Sequence, residues 1–291
     1  MTRRALVIGA GDAVGERVAC HLADGGWRVT GSMRRKRDDV VARLAAYGVA
    51  AAFHDLTQDD WRAAAEDADA LVITARLDLA AEALTKSGLR CARTIVFSSN
   101  NVATFADTPV YRALAAAETA VRNYDPNLII VRPTLIYGDP RLPTVPRLIA
   151  MARRWPVMVA PGSGKALVQP VFHHDLAASA AGLLEAGAAG GVYAIGGPDI
   201  VSMRALFAAA ADAAGRPGKP VLCIPKEALQ LAAPLLSLFA PYSPAQAARA
   251  DRDRVAAPQT SLPPDLAPRT PLRAGLTALV SALDGSPVAG R

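Results

Sequence analysis

Continuous apolar runs alternate with longer, alanine-rich stretches along the first 135 residues of the chain. The runs cover residues 5–8, 27–33, 49–53, 70–75, 94–98 and 128–132. They are short and predominantly apolar, the pattern of strands buried in a parallel sheet covered on both faces. The stretches between them, the first over residues 16–22, read as covering helices, so the expected architecture is α/β with a doubly wound parallel sheet. Beyond Arg132-Pro133 the alternation loosens. Pro140, Pro143, Pro146, Pro156 and Pro161 crowd together and predict irregular, site-forming segments. Helical patterning returns over residues 175–185, 203–214 and 226–239. A proline-rich stretch, 256–271, is expected to run over the surface before a last helix over 272–283. The division expected is residues 1–135, carrying the sheet, and residues 136–291, a smaller C-terminal lobe interwoven with the first into one structural unit.

Composition narrows the class. Of 291 residues, 52% are hydrophobic and 20% charged, which excludes a disordered chain. There is no uncharged apolar run of spanning length, so no transmembrane segment is expected. Met1-Thr2-Arg3-Arg4 leads directly into the first strand with no cleavage site behind it, which predicts no signal peptide. Cys20, Cys91 and Cys223 lie far apart with no nearby histidine at ligand spacing. That spacing predicts neither a disulfide framework nor a metal site, and fits a reducing cytoplasm. The net charge of +6 has one dense source, Arg34-Arg35-Lys36-Arg37, without interleaved aromatics, so nucleic acid is not an expected partner. The apolar segment bounded by Ala228 and Pro241, interrupted by Pro234, has three readings: core, a contact with a second copy or another partner, or a membrane-surface element.

The most specific local signal is Ala5-Leu-Val-Ile-Gly9-Ala-Gly11-Asp12-Ala13-Val14-Gly15. It is a strand, a glycine-rich turn and a helix start in immediate succession. Glycine permits the tight turn and close backbone approach, while the helix start turns free N–H groups and a positive dipole end toward a pyrophosphate. Gly9, Gly11, Asp12, Ala13, Val14 and Gly15 are therefore expected at a dinucleotide, which makes the sheet Rossmann-type. Asp12 would bring a carboxylate near phosphate, and capping the helix is its other reading. An NAD site carries an acid at the end of the second strand, but here Gly31-Ser32-Met33 runs into Arg34 and Arg35. Their planar forks suit a 2′-phosphate, so the expected cofactor is NADP(H). The bland reading of that run is a solvated helix start. Asp55 and Leu56 follow the third strand where the adenine is expected. Ala75 and Pro133, closing the fourth and sixth runs, complete the expected cofactor contacts.

Five segments together resemble a known family. They are the glycine loop, Val96-Phe-Ser98-Ser99, Ile130-Val-Arg132-Pro133-Thr134-Leu-Ile-Tyr137-Gly138, Gln169-Pro170-Val171-Phe-His-His-Asp175-Leu-Ala177, and Tyr193-Ala-Ile-Gly196-Gly197-Pro198. In this order they resemble the extended, atypical short-chain dehydrogenases/reductases of the NAD-dependent epimerase/dehydratase type. Pro271-Leu-Arg-Ala-Gly275-Leu276 is similar to that family's C-terminal signature. The Gln-Pro-Val phrase resembles the branch that includes the 39-kilodalton NADPH-binding accessory subunit of respiratory complex I. The resemblance implies a small-molecule substrate at the C-terminal edge of the sheet, between the two lobes. It also implies a catalytic Tyr with a Lys four residues later. Counted from Glu118, which matches the family's downstream glutamate, those places hold Val110 and Leu114. Tyr111 is one position off, and four residues after it stands Ala115, so the lysine is missing in either register. In the family that lysine activates the tyrosine and holds the nicotinamide ribose, and a tyrosine without it is a poor base at neutral pH.

The candidate chemistry is accordingly Tyr111 for proton transfer, Ser98 as a substrate-orienting hydroxyl and Asn100, with Asn101, as amide donors or acceptors. Ser98, Ser99, Asn100 and Asn101 also have a plain reading, that they turn the chain. Tyr137 reads as pocket wall. His173 is a weaker candidate base, ahead of a helix that Asp175 is expected to cap. Asp38-Asp39 and Asp59-Asp60 lie beside expected helix starts, where negative charge suits the dipole. Two functions stay open: an NADP(H)-dependent oxidoreductase or epimerase-like enzyme acting on a small polar carbonyl or hydroxyl compound, and a non-catalytic NADPH-binding structural or sensor protein.

Overall fold

The computed structural model describes residues 2–225, 228, 250–257 and 262–285. It divides into two units. One comprises Met1–Pro133, His173–Ile195 and Ala256–Pro268; the other comprises Thr134–Phe172, Gly196–Val255 and Arg269–Arg291.

The first unit is built on seven parallel strands: β1 (Arg4–Ile8), β2 (Arg28–Met33), β3 (Ala50–Phe53), β4 (Ala70–Ile73), β5 (Arg93–Phe97), β6 (Ile129–Pro133) and a late strand, Gly191–Ile195. Their spatial order is late strand–β6–β5–β4–β1–β2–β3. The chain thus begins at the middle of the sheet, builds outward through β2 and β3, then returns to build the other half from β4. All of β4 and β6 is buried, as is β1 after Arg4, which is why these strands read as apolar runs, interrupted only by Arg132 in β6. The helices in this unit are α1 (Ala13–Asp24), α2 (Asp38–Ala46), α3 (Arg62–Glu66), α4 (Leu77–Ser87), α5 (Asn101–Thr104), α6 (Pro109–Tyr124) and α8 (His173–Glu185). α6 opens with proline at its first turn, where the missing N–H costs nothing. One core cluster joins Leu6, Leu71, Ile73 and Val96 to Leu77 and Leu84 of α4 and Val121 of α6.

Among the described residues, the second unit holds three two-stranded pairs. β7 (Leu135–Tyr137) pairs in parallel with β10 (Pro170–Phe172), and β8 (Met158–Pro161) with β13 (Val221–Ile224). β9 (Leu167–Val168) runs antiparallel to β12 (Val201–Ser202); the late strand of the first unit is β11 in this numbering. Helices α7 (Val145–Arg154), α9 (Met203–Ala213) and α10 (Leu272–Leu283) pack a separate core around Ile149, Phe207 and Leu276.

Several expectations are corrected. Tyr137 is no pocket wall. It is fully buried in the second core, packed so closely that a Cβ on Gly275 would stand 2.3 Å from its hydroxyl. Helix α8 begins at His173, so Asp175 lies inside its first turn and not at its cap. The stretch over 256–271 is not merely superficial. Leu266 fits against Gly182, and the Ser179 hydroxyl donates to the Leu266 carbonyl at 2.6 Å. The expected helix over 226–239 and the apolar segment from Ala228 to Pro241 lie, apart from residue 228, outside the described residues. Among the described residues no helix is long and apolar enough to cross a membrane.

Candidate functional site

The glycine loop joins β1 to α1 at the point where the strand order reverses, between β1 and β4. That is where open α/β sheets place ligands. Gly9 has φ +100°, open to glycine and strained for other residues. A Cβ on Gly15 would meet the Gly9 carbonyl oxygen at 2.3 Å and Thr74 Oγ1 at 2.5 Å. These two glycines let α1 close onto the ends of β1 and β4, aiming its first turn outward. Thr74, which sequence reasoning missed, completes the seat by donating to the Ile8 carbonyl at 3.3 Å. Ala75 belongs to it as well, since its N–H would stand 3.2 Å from a Cβ on Gly9. Gly11 is different, because a Cβ there would meet only Met33 Cβ, at 3.2 Å.

Asp12 occupies the N-cap position of α1, but its side chain makes no capping hydrogen bond, contrary to the capping alternative. Its carboxylate is exposed, and its backbone N–H donates to Gly9 O at 3.0 Å. Ala13 and Val14 form the first turn of α1. The loop is anchored laterally as well, since the Gly9 and Ala10 N–H groups both donate to Ser32 O of β2 at 2.9 Å.

Arg34 and Arg35 follow β2 directly, exposed, with no acid among residues 31–37. Arg34 lies close enough to Asp55 to help hold its carboxyl below the usual range; the larger causes are the Thr57 N–H and hydroxyl that donate to it. Leu56 beside it is buried. The structure therefore gathers the loop, Arg34, Asp55 and Ala75 around the β1, β2, β3 and β4 ends. Arg37, passed over in the sequence as part of a solvated run, donates to the Gly11 carbonyl at 3.1 Å.

A second cluster sits at the ends of β5 and β6. The Ser98 hydroxyl donates to Glu118 Oε1 of α6, and the Arg132 guanidinium of β6 grips the same carboxylate with two donors, Nε at 2.8 Å and Nη2. Both charged side chains are buried, at 10% and 6% exposure, so this is an ion pair inside the core with Ser98 as its third member. Ser98's proton is thereby committed to the protein. Buried Asn100 donates its N–H to Pro133 O at 3.0 Å, and its side-chain oxygen accepts from the Ala257 N–H at 3.4 Å.

Tyr111 is half-buried on α6, one ring from Phe105 at 5.8 Å, and the Asn101 amide donates to its hydroxyl at 2.9 Å. Val110, the tyrosine's place in the other register, is 72% exposed. Leu114 packs on the core cluster beneath α6, so the expected lysine position is filled by hydrocarbon. His173 is buried in the first turn of α8 against His174, with ring centroids 4.4 Å apart. Among the described residues no group of three or more His, Cys, Asp or Glu is arranged to hold a metal ion.

No protein-family model matches the chain, and no curated protein matches it in sequence. Solved structures match it in fold over nearly its whole length. The dTDP-glucose 4,6-dehydratase of Bacillus anthracis, solved with NAD, is similar at TM-score 0.74 and 13% identity, over 98% of this chain and 97% of that one. The UDP-N-acetylglucosamine 4-epimerase of Bacillus cereus matches at TM-score 0.73 and 12% identity, over 98% and 100%. The UDP-glucose 4-epimerase of Thermotoga maritima, solved with UDP-glucose, matches at TM-score 0.70 and 14% identity, over 97% and 99%. The chain shares the fold of these sugar-nucleotide dehydratase and epimerase structures over nearly its whole length.

Proposed function

We propose that this chain binds NADP(H) on its first unit and works as an oxidoreductase or epimerase-like enzyme on a small polar compound bearing a carbonyl or hydroxyl, with the second unit serving the substrate. One observation carries the cofactor reading. The β1–α1 turn is closed by Gly9 and Gly15, and the adjoining β2 end offers Arg34 and Arg35 where an acid would be needed for a free ribose hydroxyl. The fit is good except at Asp12, whose carboxylate is exposed. The assigned cofactor residues are Gly9, Gly11, Asp12, Ala13, Val14, Gly15, Arg34, Arg35, Asp55, Leu56, Ala75 and Pro133. Bound nicotinamide would supply hydride exchange. The protein's own contribution is to hold Tyr111 on the Asn101 amide for proton transfer, and to shape the β5 end with Ser98 and Asn100. The buried thiols Cys20 and Cys91 suit a reducing compartment such as the cytoplasm.

Leu114 favours a second reading. An apolar side chain packed on the core replaces the ammonium that would hold the nicotinamide ribose, as in a protein that keeps NADPH for structure or sensing. Calorimetry with 2′,5′-ADP and NADPH separates the two. An enzyme holding the nicotinamide half firmly binds NADPH a hundredfold or more tightly than 2′,5′-ADP. Affinities within about tenfold, or 1.4 kcal/mol, support the binding-protein reading. Failure of both ligands to bind removes the cofactor assignment. Given an identified substrate, Tyr111→Phe abolishes turnover and leaves NADPH affinity nearly intact; surviving turnover removes Tyr111 from the chemistry.

A further inference from the structure

Arg37 touches the part of the glycine loop that packing leaves least constrained. Gly9 and Gly15 are locked by backbone and Thr74, whereas Gly11 has only Met33 Cβ within reach of a would-be Cβ. The peptide between Gly11 and Asp12 is instead held at both ends by hydrogen bonds. Its N–H donates to Gly9 O at 3.0 Å, and its carbonyl accepts from Arg37 Nη1 at 3.1 Å. The guanidinium contact thereby fixes the orientation of this peptide plane within the loop.

Arg37 is itself held in place. Its Nη2 reaches Asp39 Oδ2 at 3.3 Å, and the same oxygen accepts from Arg43 Nη2 at 3.2 Å. Arg43 in turn grips Glu16 with Nε at 2.8 Å and Nη2 at 3.1 Å. Glu16 is on α1, one residue beyond Gly15, with a side chain only 4% exposed. The chain of contacts leaves α1, crosses α2 and returns to the loop that starts α1. Its outer links are half-exposed and individually weak, but the Glu16–Arg43 link is bidentate and partly buried, which gives the chain a fixed end.

Resting on the nucleotide reading above, we infer that Arg37 is a positioning residue for the glycine loop, anchored through Asp39 and Arg43 to Glu16, and not a reader of the 2′-phosphate. It follows that Arg37 supports every dinucleotide alike, because the pyrophosphate is common to all of them. Arg34 and Arg35, by contrast, bear on the one phosphate that distinguishes NADPH.

Fluorescence titration of the full chain with NADPH and NADH tests this. Arg37→Ala should weaken both ligands by the same factor, roughly three- to tenfold for one lost hydrogen bond, leaving their ratio unchanged. Asp39→Asn, at an exposed position that tolerates change, should weaken both in the same direction by a smaller factor, again with the ratio unchanged. Arg37→Lys, with a single ammonium for two acceptors, should fall between Arg37→Ala and the parent. A loss confined to NADPH would make Arg37 a 2′-phosphate ligand and overturn the inference. Unchanged affinity for both ligands in Arg37→Ala would overturn it too. An unmodified protein that binds neither nucleotide would instead remove the nucleotide reading on which the inference stands.

Discussion

Arg132→Met leaves the Glu118 carboxylate inside the core, with the Ser98 hydroxyl but without its fork of two guanidinium donors. Methionine keeps much of the aliphatic volume, so the change is mainly one of charge. Both side chains of the native pair are almost entirely buried. Removing one partner of such a pair costs about 3–5 kcal/mol, because an uncompensated buried charge remains. At about 2–4 °C per kcal/mol for a domain of this size, the midpoint should fall by roughly 6–20 °C. The double variant Glu118→Leu with Arg132→Met removes both charges, and apolar replacement of a buried pair is often neutral or better. It should therefore recover most of the loss, and the two single costs should be strongly non-additive. Urea unfolding followed by far-ultraviolet circular dichroism, with a thermal scan beside it, measures all four proteins. A single-variant cost below about 1 kcal/mol, or a double variant losing the sum of both singles, would refute the reasoning.

Other outcomes follow from the same geometry. Gly15→Ala should cost about 1–3 kcal/mol and abolish tight nucleotide binding, since its Cβ meets a backbone oxygen at 2.3 Å. Gly11→Ala, which meets only Met33 Cβ at 3.2 Å, should cost well under about 1 kcal/mol, and equal losses in the two variants would contradict the packing argument. Burial of His21 between α1 and α8, and secondarily Arg17, pull its pKa below the usual 6.5, against the opposing influence of Asp24, the His174 backbone and Asp175. The unfolded chain then takes up a proton below pH 6.5 that the folded chain resists, so this contribution to stability is present above pH 6.5 and lost as pH falls. Urea midpoints should decline from pH 7.5 to 5.5, less steeply in His21→Gln; an identical slope in that variant would exclude His21 as the source.

The six strands before residue 135 were legible because each is short and mostly apolar and lies within about thirty residues of its neighbours in sequence. β11 was not: Gly191–Ile195 pairs with Ile129–Pro133 across a long interval, and no local periodicity announces such a pairing. The strand pairs of the second unit are two to four residues long, below the length at which alternation can be read. The glycine loop was visible because its chemistry is contiguous. The Ser98–Glu118–Arg132 cluster was not, since tertiary folding alone joins those residues. A signal did exist, however. Glu118 falls on the buried face of α6 beside Ala117 and Val121, and Arg132 interrupts an otherwise apolar strand. Two opposite charges at core positions call for each other. Asp12 and Asp175 misled because a favoured capping residue type stands near a helix start without its side chain making that bond, or two residues inside the helix.

The central claim is that the β2 end selects NADP(H) through Arg34 and Arg35. Equilibrium titration of NADPH and NADH against intrinsic fluorescence, in the parent and in Arg34→Ala with Arg35→Ala, tests it most directly. A phosphate–guanidinium contact, as a charge-assisted hydrogen bond, contributes about 1.5–3 kcal/mol, so NADPH should bind at least tenfold more tightly than NADH. In the double variant the two dissociation constants should converge, through loss of NADPH affinity and not gain of NADH affinity. Equal constants in the parent, or a preference that survives the double substitution, would contradict the account.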